Sequence, residues 1–106
     1  MHRLIEQPAG EGPIFYEGAE IGRAHYHLAV YQHFSDQQGE SVPAHLEVEG
    51  TVSGNDDLDL SAFARLGFEL TLRLTDGRLL DFRITGDRGS IHSTGRVLYS
   101  AAGSND

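Results

Sequence analysis

Three histidines and two glutamates stand at spacings that suit a metal ion. His25 and His27 form a His-x-His pair, and His45, Glu47 and Glu49 repeat the same every-second-residue spacing further along the chain. Alternate side chains of a strand point to one face. Each set would therefore present its imidazoles and carboxylates together, a common way of supplying nitrogen and oxygen ligands to zinc or another divalent metal. His27 beside Glu49 would alternatively make a general base with an orienting carboxylate. No nucleophile accompanies that pair: the serines lie mostly in turn-like stretches, and none occupies a Gly-x-Ser-x-Gly elbow. The balance leans away from an enzyme. The same residues also read as ordinary cross-strand neighbours on the solvated face of an amphipathic sheet.

A second group lies in the C-terminal half, where Arg73, Arg78, Arg83, Arg88 and Arg96 accompany His92. Gathered on the outer face of the last strands, Arg73, Arg83, His92 and Arg96 would make a surface for an anion or an acidic partner. Tyr31, an aromatic on a polar face, adds a candidate contact for a partner chain or ligand. Glu69, Asp76, Asp81 and Asp87 interleave with the arginines and cancel most of their charge. Over the whole chain sixteen acids outweigh eight basic residues, a formal charge of −8, which opposes nucleic-acid binding. The acids concentrate in residues 1–60, with eleven acids against two arginines. All eight basic residues are arginine, which reads as coding bias before it reads as function.

There is no cysteine among the 106 residues, which removes disulfides, thiolate metal sites and a cysteine nucleophile. The first residues hold no apolar run of signal-peptide length, and nowhere do enough apolar residues follow one another to span a bilayer. A soluble, cytoplasmic protein without membrane contact is the expectation.

The elements that must position these residues are strands. Residues 21–34 alternate Ala24, Tyr26, Leu28, Val30 and Phe34 with Arg23, His25, His27 and His33, giving one dry face and one wet face. Fourteen residues would run roughly 46 Å if straight, too long for a domain of this size. A bend near Gly22 or Ala29 is expected. After a polar loop at 35–41, a strand over about 42–53 carries Val42, Leu46, Val48 and Val52. Pairing Phe34 with Val42 sets Leu28 against Val48, Tyr26 against Gly50, His27 opposite Glu49 and Tyr31 opposite His45. Hydrophobic matching fixes the parity of this register but not its offset. His33, close to the loop, is expected to stand apart from the other histidines.

Residues 58–66 suit a short helix better than a strand, with Asp57 or Asp59 as cap, an apolar stripe of Leu58, Ala62, Phe63 and Leu66, and Gly67 as the stop. A three-residue loop at Thr75-Asp76-Gly77, with Gly77 left-handed, pairs Leu72 with Leu80, Leu70 with Phe82 and Phe68 with Ile84, and brings Glu69 beside Arg83. A last strand over 90–99 pairs Ile91 with Ile84.

The chain thus predicts a mostly β fold: a single-domain, six-stranded antiparallel barrel or strongly curled sheet or sandwich with at most one short helix. Residues 1–12 are expected to be a flexible arm, 13–100 the domain and 101–106 a flexible tail. The function expected is a non-enzymatic binding or interaction module with a protein partner or self-association through an edge strand. The alternative is a divalent-metal or small-ligand domain using the His/Glu face.

Overall fold

The computed structural model describes residues 2–55, 58–86 and 88–100. Among these residues seven strands form one antiparallel sheet: β1 (His2–Glu6), β2 (Ala9–Tyr16), β3 (Ala19–Gln37), β4 (Glu40–Gly54), β5 (Leu70–Arg73), β6 (Leu79–Ile84) and β7 (Ser90–Ser93), with one helix, α1 (Ser61–Leu66). The strand order β1-β3-β2-β5-β6-β7-β4, together with pairing of β3 to β4, closes six strands into a ring and leaves β1 as an addition to β3. The six ring strands are those that the alternation outlines. Closure leaves no sheet edge around the ring.

The barrel interior is the dry face of every strand. Ile14, Tyr26, Val30, Val48, Leu70, Leu72, Leu80 and Phe82 are fully enclosed, and Leu28, Val52, Leu74, Ile84 and Ile91 complete the core. Each buried side chain of this size contributes roughly 1.5–3 kcal/mol of transfer free energy. Tyr26 keeps its polar end satisfied, its hydroxyl accepting from the Thr75 backbone N–H at 2.9 Å.

Hydrophobic matching placed the β5–β6 hairpin correctly. Leu70 faces Phe82 and Leu72 faces Leu80, around a loop in which Gly77 has φ 95°. Ile84 faces Ile91 as expected. Phe68 precedes β5 instead of pairing with Ile84, and Arg83 donates through Nε to the Gly67 carbonyl at 2.9 Å instead of meeting Glu69.

From Ala24 to Gln32 the parity of the β3–β4 ladder holds with the offset displaced by two residues: Leu28 faces Gly50, Tyr26 faces Val52, Tyr31 faces Glu47 and His27 faces Thr51. Beyond the register shift the parity is lost, Phe34 facing Pro43 and Ser35 facing Val42 in place of the expected Phe34–Val42 pair. Gly50 is the reason for the displacement. A Cβ there would lie 2.1 Å from the His27 carbonyl oxygen, and its φ of 150° suits glycine, so the bare backbone fits only where the strands approach most closely. The expected bend near Gly22 coincides with a register shift in the β2–β3 ladder, and a second shift falls between Gln32 and Phe34, beyond Ala29.

Three stretches differ from expectation. Residues 35–41 are not a loop: β3 runs to Gln37 and β4 starts at Glu40, joined by Gln38-Gly39 with both φ positive, a tight hairpin turn. The polar residues there reflect a hairpin tip that extends past the core and meets water on both faces. Residues 2–6 and 9–12 are strand, not a loose arm. β1 pairs with β3 over His33 to Val30, and most of β2 pairs with β3 over His27 to Ala19. The last strand ends at Ser93, and residues 94–99 cross β6 by irregular hydrogen bonds before an isolated bridge between Leu79 and Tyr99.

α1 begins at Ser61 without a side-chain cap on Leu60, although Asp59 accepts from the Ser61 N–H and hydroxyl. Gly67 ends it in the left-handed conformation, as predicted. Leu58, Leu60, Phe63 and Ala64 pack on the core while Ala62 and Leu66 are exposed, a rotation of the expected stripe. Asp57 and residues 101–106 lie outside the described residues. No helix among the described residues is long and apolar enough to cross a membrane.

Candidate metal centre

The wet faces of β3, β4 and β7 come together where the ring meets the projecting hairpin. Glu49 faces His92 across the β4–β7 ladder, and Tyr31 faces Glu47 across β3–β4. Glu47, Glu49 and His92 present one ligand atom each within 4.8 Å of one another. Zinc binds such atoms at about 2.0–2.2 Å, so small side-chain rotations would close the set around an ion. They sit beside an open groove of about 530 Å³, lined by His45, Leu46, Glu47, His92, Ser93, Thr94, Gly95 and Val97, where the chain after β7 peels away from β4.

Glu47 is the hub. Its Oε1 lies 2.5 Å from His33 Nε2, and its Oε2 pairs with His92 Nε2. His33 is held in turn by stacking on His45, with ring centroids 4.4 Å apart and planes 11° from parallel, and by the His2 ring at 5.3 Å. The hydrogen bond from His92, then that from His33, draws the Glu47 carboxyl below the usual carboxylate range. Glu47 in turn raises the His92 pKa through their hydrogen bond, with further support from the Ser93 carbonyl and the Glu49 charge.

The tautomer of His92 follows from its partners. Nδ1 lies 3.0 Å from the Ser93 carbonyl oxygen and Nε2 faces the Glu47 carboxylate. Both are acceptors, so both bonds form only when the ring is imidazolium. With Nδ1–H fixed on the carbonyl, removing the other proton leaves Nε2 as a free lone pair aimed into the cluster. That is the usual way a ligating histidine is oriented.

The predicted site residues divide. Glu47 and Glu49 are brought together with His92 from the other predicted group, while His45 lines the groove beside Glu47 and stacks on His33 without joining the ligand set. His25 and His27 are exposed on the same face of β3 but lie opposite Ser53 and Thr51, outside the cluster. Tyr31 lies half-buried between Leu4 and Glu47, with the His2 ring edge-on at 5.0 Å. The arginines do not gather. Arg73 lies over Phe15 at 5.2 Å, Arg78 pairs with Glu6 and Asp76, Arg83 holds Gly67, and Arg96 pairs with Asp81 while lying 4.0 Å over Tyr99.

Sequence reasoning missed His33, and it read Asp81 as one of the wet-face acids when it is the buried charge of β6. The two-residue displacement of the β3–β4 register carries His33 into the cluster. A Gly50-centred pairing was the available signal, since glycine marks the close approach.

Comparison with protein-family models, curated proteins and solved structures finds no match to this chain.

Proposed function

We propose that this protein is a non-enzymatic binding module whose ligand is a divalent transition metal of the zinc class, held by Glu47, Glu49 and His92 at the head of the β4–β7 groove. The observation that carries the reading is the convergence of these three ligand atoms within 4.8 Å. Two carboxylates and one imidazole suit zinc and its neighbours better than calcium or magnesium, which prefer oxygen alone. His33 is a positioning residue here: it grips Oε1 of Glu47 and leaves Oε2 for the ion. Groups that orient a metal ligand in this way typically affect affinity by about 10–100-fold.

The test is a zinc titration followed by histidine resonances and calorimetry. Saturation at one equivalent, with shifts at His92 and His33 and none at His25 or His27, is the expected result. Absence of any His92 shift at millimolar zinc, or shifts led by His25 and His27, defeats the proposal. Metal uptake must also displace the Nε2 proton of His92, so binding should weaken as pH falls through the range in which that imidazole protonates.

A further inference from the structure

β1 is an addition to the closed ring, and among the described residues no strand lies beside its outer edge. Such an edge offers unpaired backbone N–H and C=O groups to another strand. Of the four large apolar side chains that are exposed among the described residues, two lie on this five-residue strand: Leu4 at 42% and Ile5 at 51%. The sequence His-Arg-Leu-Ile-Glu carries its basic residues at one end and its acid at the other.

From these observations we propose that β1 is an interface with a second copy of this chain, paired antiparallel about a two-fold axis at Leu4. In that register Leu4 meets Leu4, Arg3 meets Ile5, and His2 of each copy comes beside Glu6 of the other, whose carboxylate is also held by Arg78 of its own chain. Parallel pairing would set like charges together, so the charge order selects the antiparallel arrangement. The two-fold is isologous and closes at two copies. It joins β4, β3 and β1 of both copies into one six-stranded sheet. The β1–β3 register shift between Leu4 and Glu6 keeps the paired segment short. An interface built on one five-residue strand falls below the roughly 1,200 Å² of stable complexes, so the dimer is weak and concentration-dependent.

Sedimentation equilibrium from micromolar to near-millimolar protein tests this. A monomer–dimer equilibrium is expected for the unmodified chain, and its loss in Leu4→Lys and in Ile5→Lys. Leu66→Lys, at an exposed apolar residue of α1, should leave it intact. Circular dichroism confirms that each variant is folded. A second arm does not depend on those substitutions: His2→Glu/Arg3→Glu and Glu6→Arg should each weaken self-association, and an equimolar mixture of the two should restore it as a heterodimer. Monomer mass at every concentration, a dimer that survives Leu4→Lys, or no recovery on mixing overturns the proposal.

Discussion

Two carboxylates organise the polar chemistry of this protein in opposite ways. Asp81 is 5% exposed, and both its oxygens are filled by groups that stay protonated at neutral pH: Thr71 and Tyr99 hydroxyls on Oδ1 at 2.9 and 2.7 Å, and the Arg96 backbone N–H and Nε on Oδ2 at 3.2 Å each. Glu47 stands at the mouth of a groove, and both its oxygens face imidazoles. Burial pushes the Asp81 carboxyl up and its hydrogen bonds outweigh that, leaving it below the usual range. A carboxylate saturated by permanent donors fastens structure, here the 94–99 segment across β6. One held by titratable donors remains able to exchange a proton for another cation.

The largest effect that would separate the two lies at Asp81. Asp81→Ala leaves two hydroxyls and an arginine without their acceptor and loosens the C-terminal segment, so about 3 kcal/mol of stability should be lost in urea unfolding. Zinc affinity of whatever remains folded should be unchanged. The converse variant is Glu47→Gln. It should lower zinc affinity about 100-fold or more, and His33→Ala should lower it about 10–100-fold, while each shifts the urea midpoint little because the site is half open to water. If Glu47→Gln unfolds the protein as Asp81→Ala does, the division between fastening and binding carboxylates fails. Tyr99→Phe, which removes one of the four bonds to Asp81, should cost about 1 kcal/mol.

The barrel was legible in the sequence because its core alternates cleanly. Leu70, Leu72, Leu80 and Phe82 find one another by parity and loop length alone, and Ile84 finds Ile91. The site was half legible for a physical reason. Parity sorted Glu47 and Glu49 onto the wet face, but only the backbone approach at Gly50 selects which histidine reaches them, and a two-residue displacement exchanges His27 for His33 without moving any side chain to the other face. His92 depends on ring closure between β4 and β7, a pairing between distant parts of the chain that no local pattern encodes. Asp81 escaped because its burial comes from the 94–99 segment crossing over it, whereas alternation alone marks its position as wet. β1 and the start of β2 escaped because Pro8, Gly10 and Gly12 make the first twelve residues read as one loose arm, although pairing with the long β3 supplies the order that local propensity lacks.

The smallest effect is the one that distinguishes the two carboxylates by pH. The folded-state pKa of His92 is raised above its unfolded value of about 6.5. Its bond to Glu47 therefore stabilises fully below that value, and the contribution is lost as pH rises through the raised value. Glu47 is lowered below about 4.3 in the folded state, so its contribution is present above that value and is lost as pH falls through the folded one. The pair is thus strongest between roughly pH 4.5 and 6.5. His92→Gln should cost under about 1 kcal/mol there, because His92 is largely open to solvent screening. The difference from the unmodified protein should fade as pH rises through the raised value. Asp81 behaves otherwise, since its lowered pKa gives a contribution present above about pH 3.9 and lost only as pH falls through the folded value. The deficit of Asp81→Ala should accordingly stay level from about pH 5 to 9. Urea midpoints of both variants across that range measure the contrast directly, and a His92→Gln deficit as flat as that of Asp81→Ala would mean that the Glu47 cluster is also a permanent fastening.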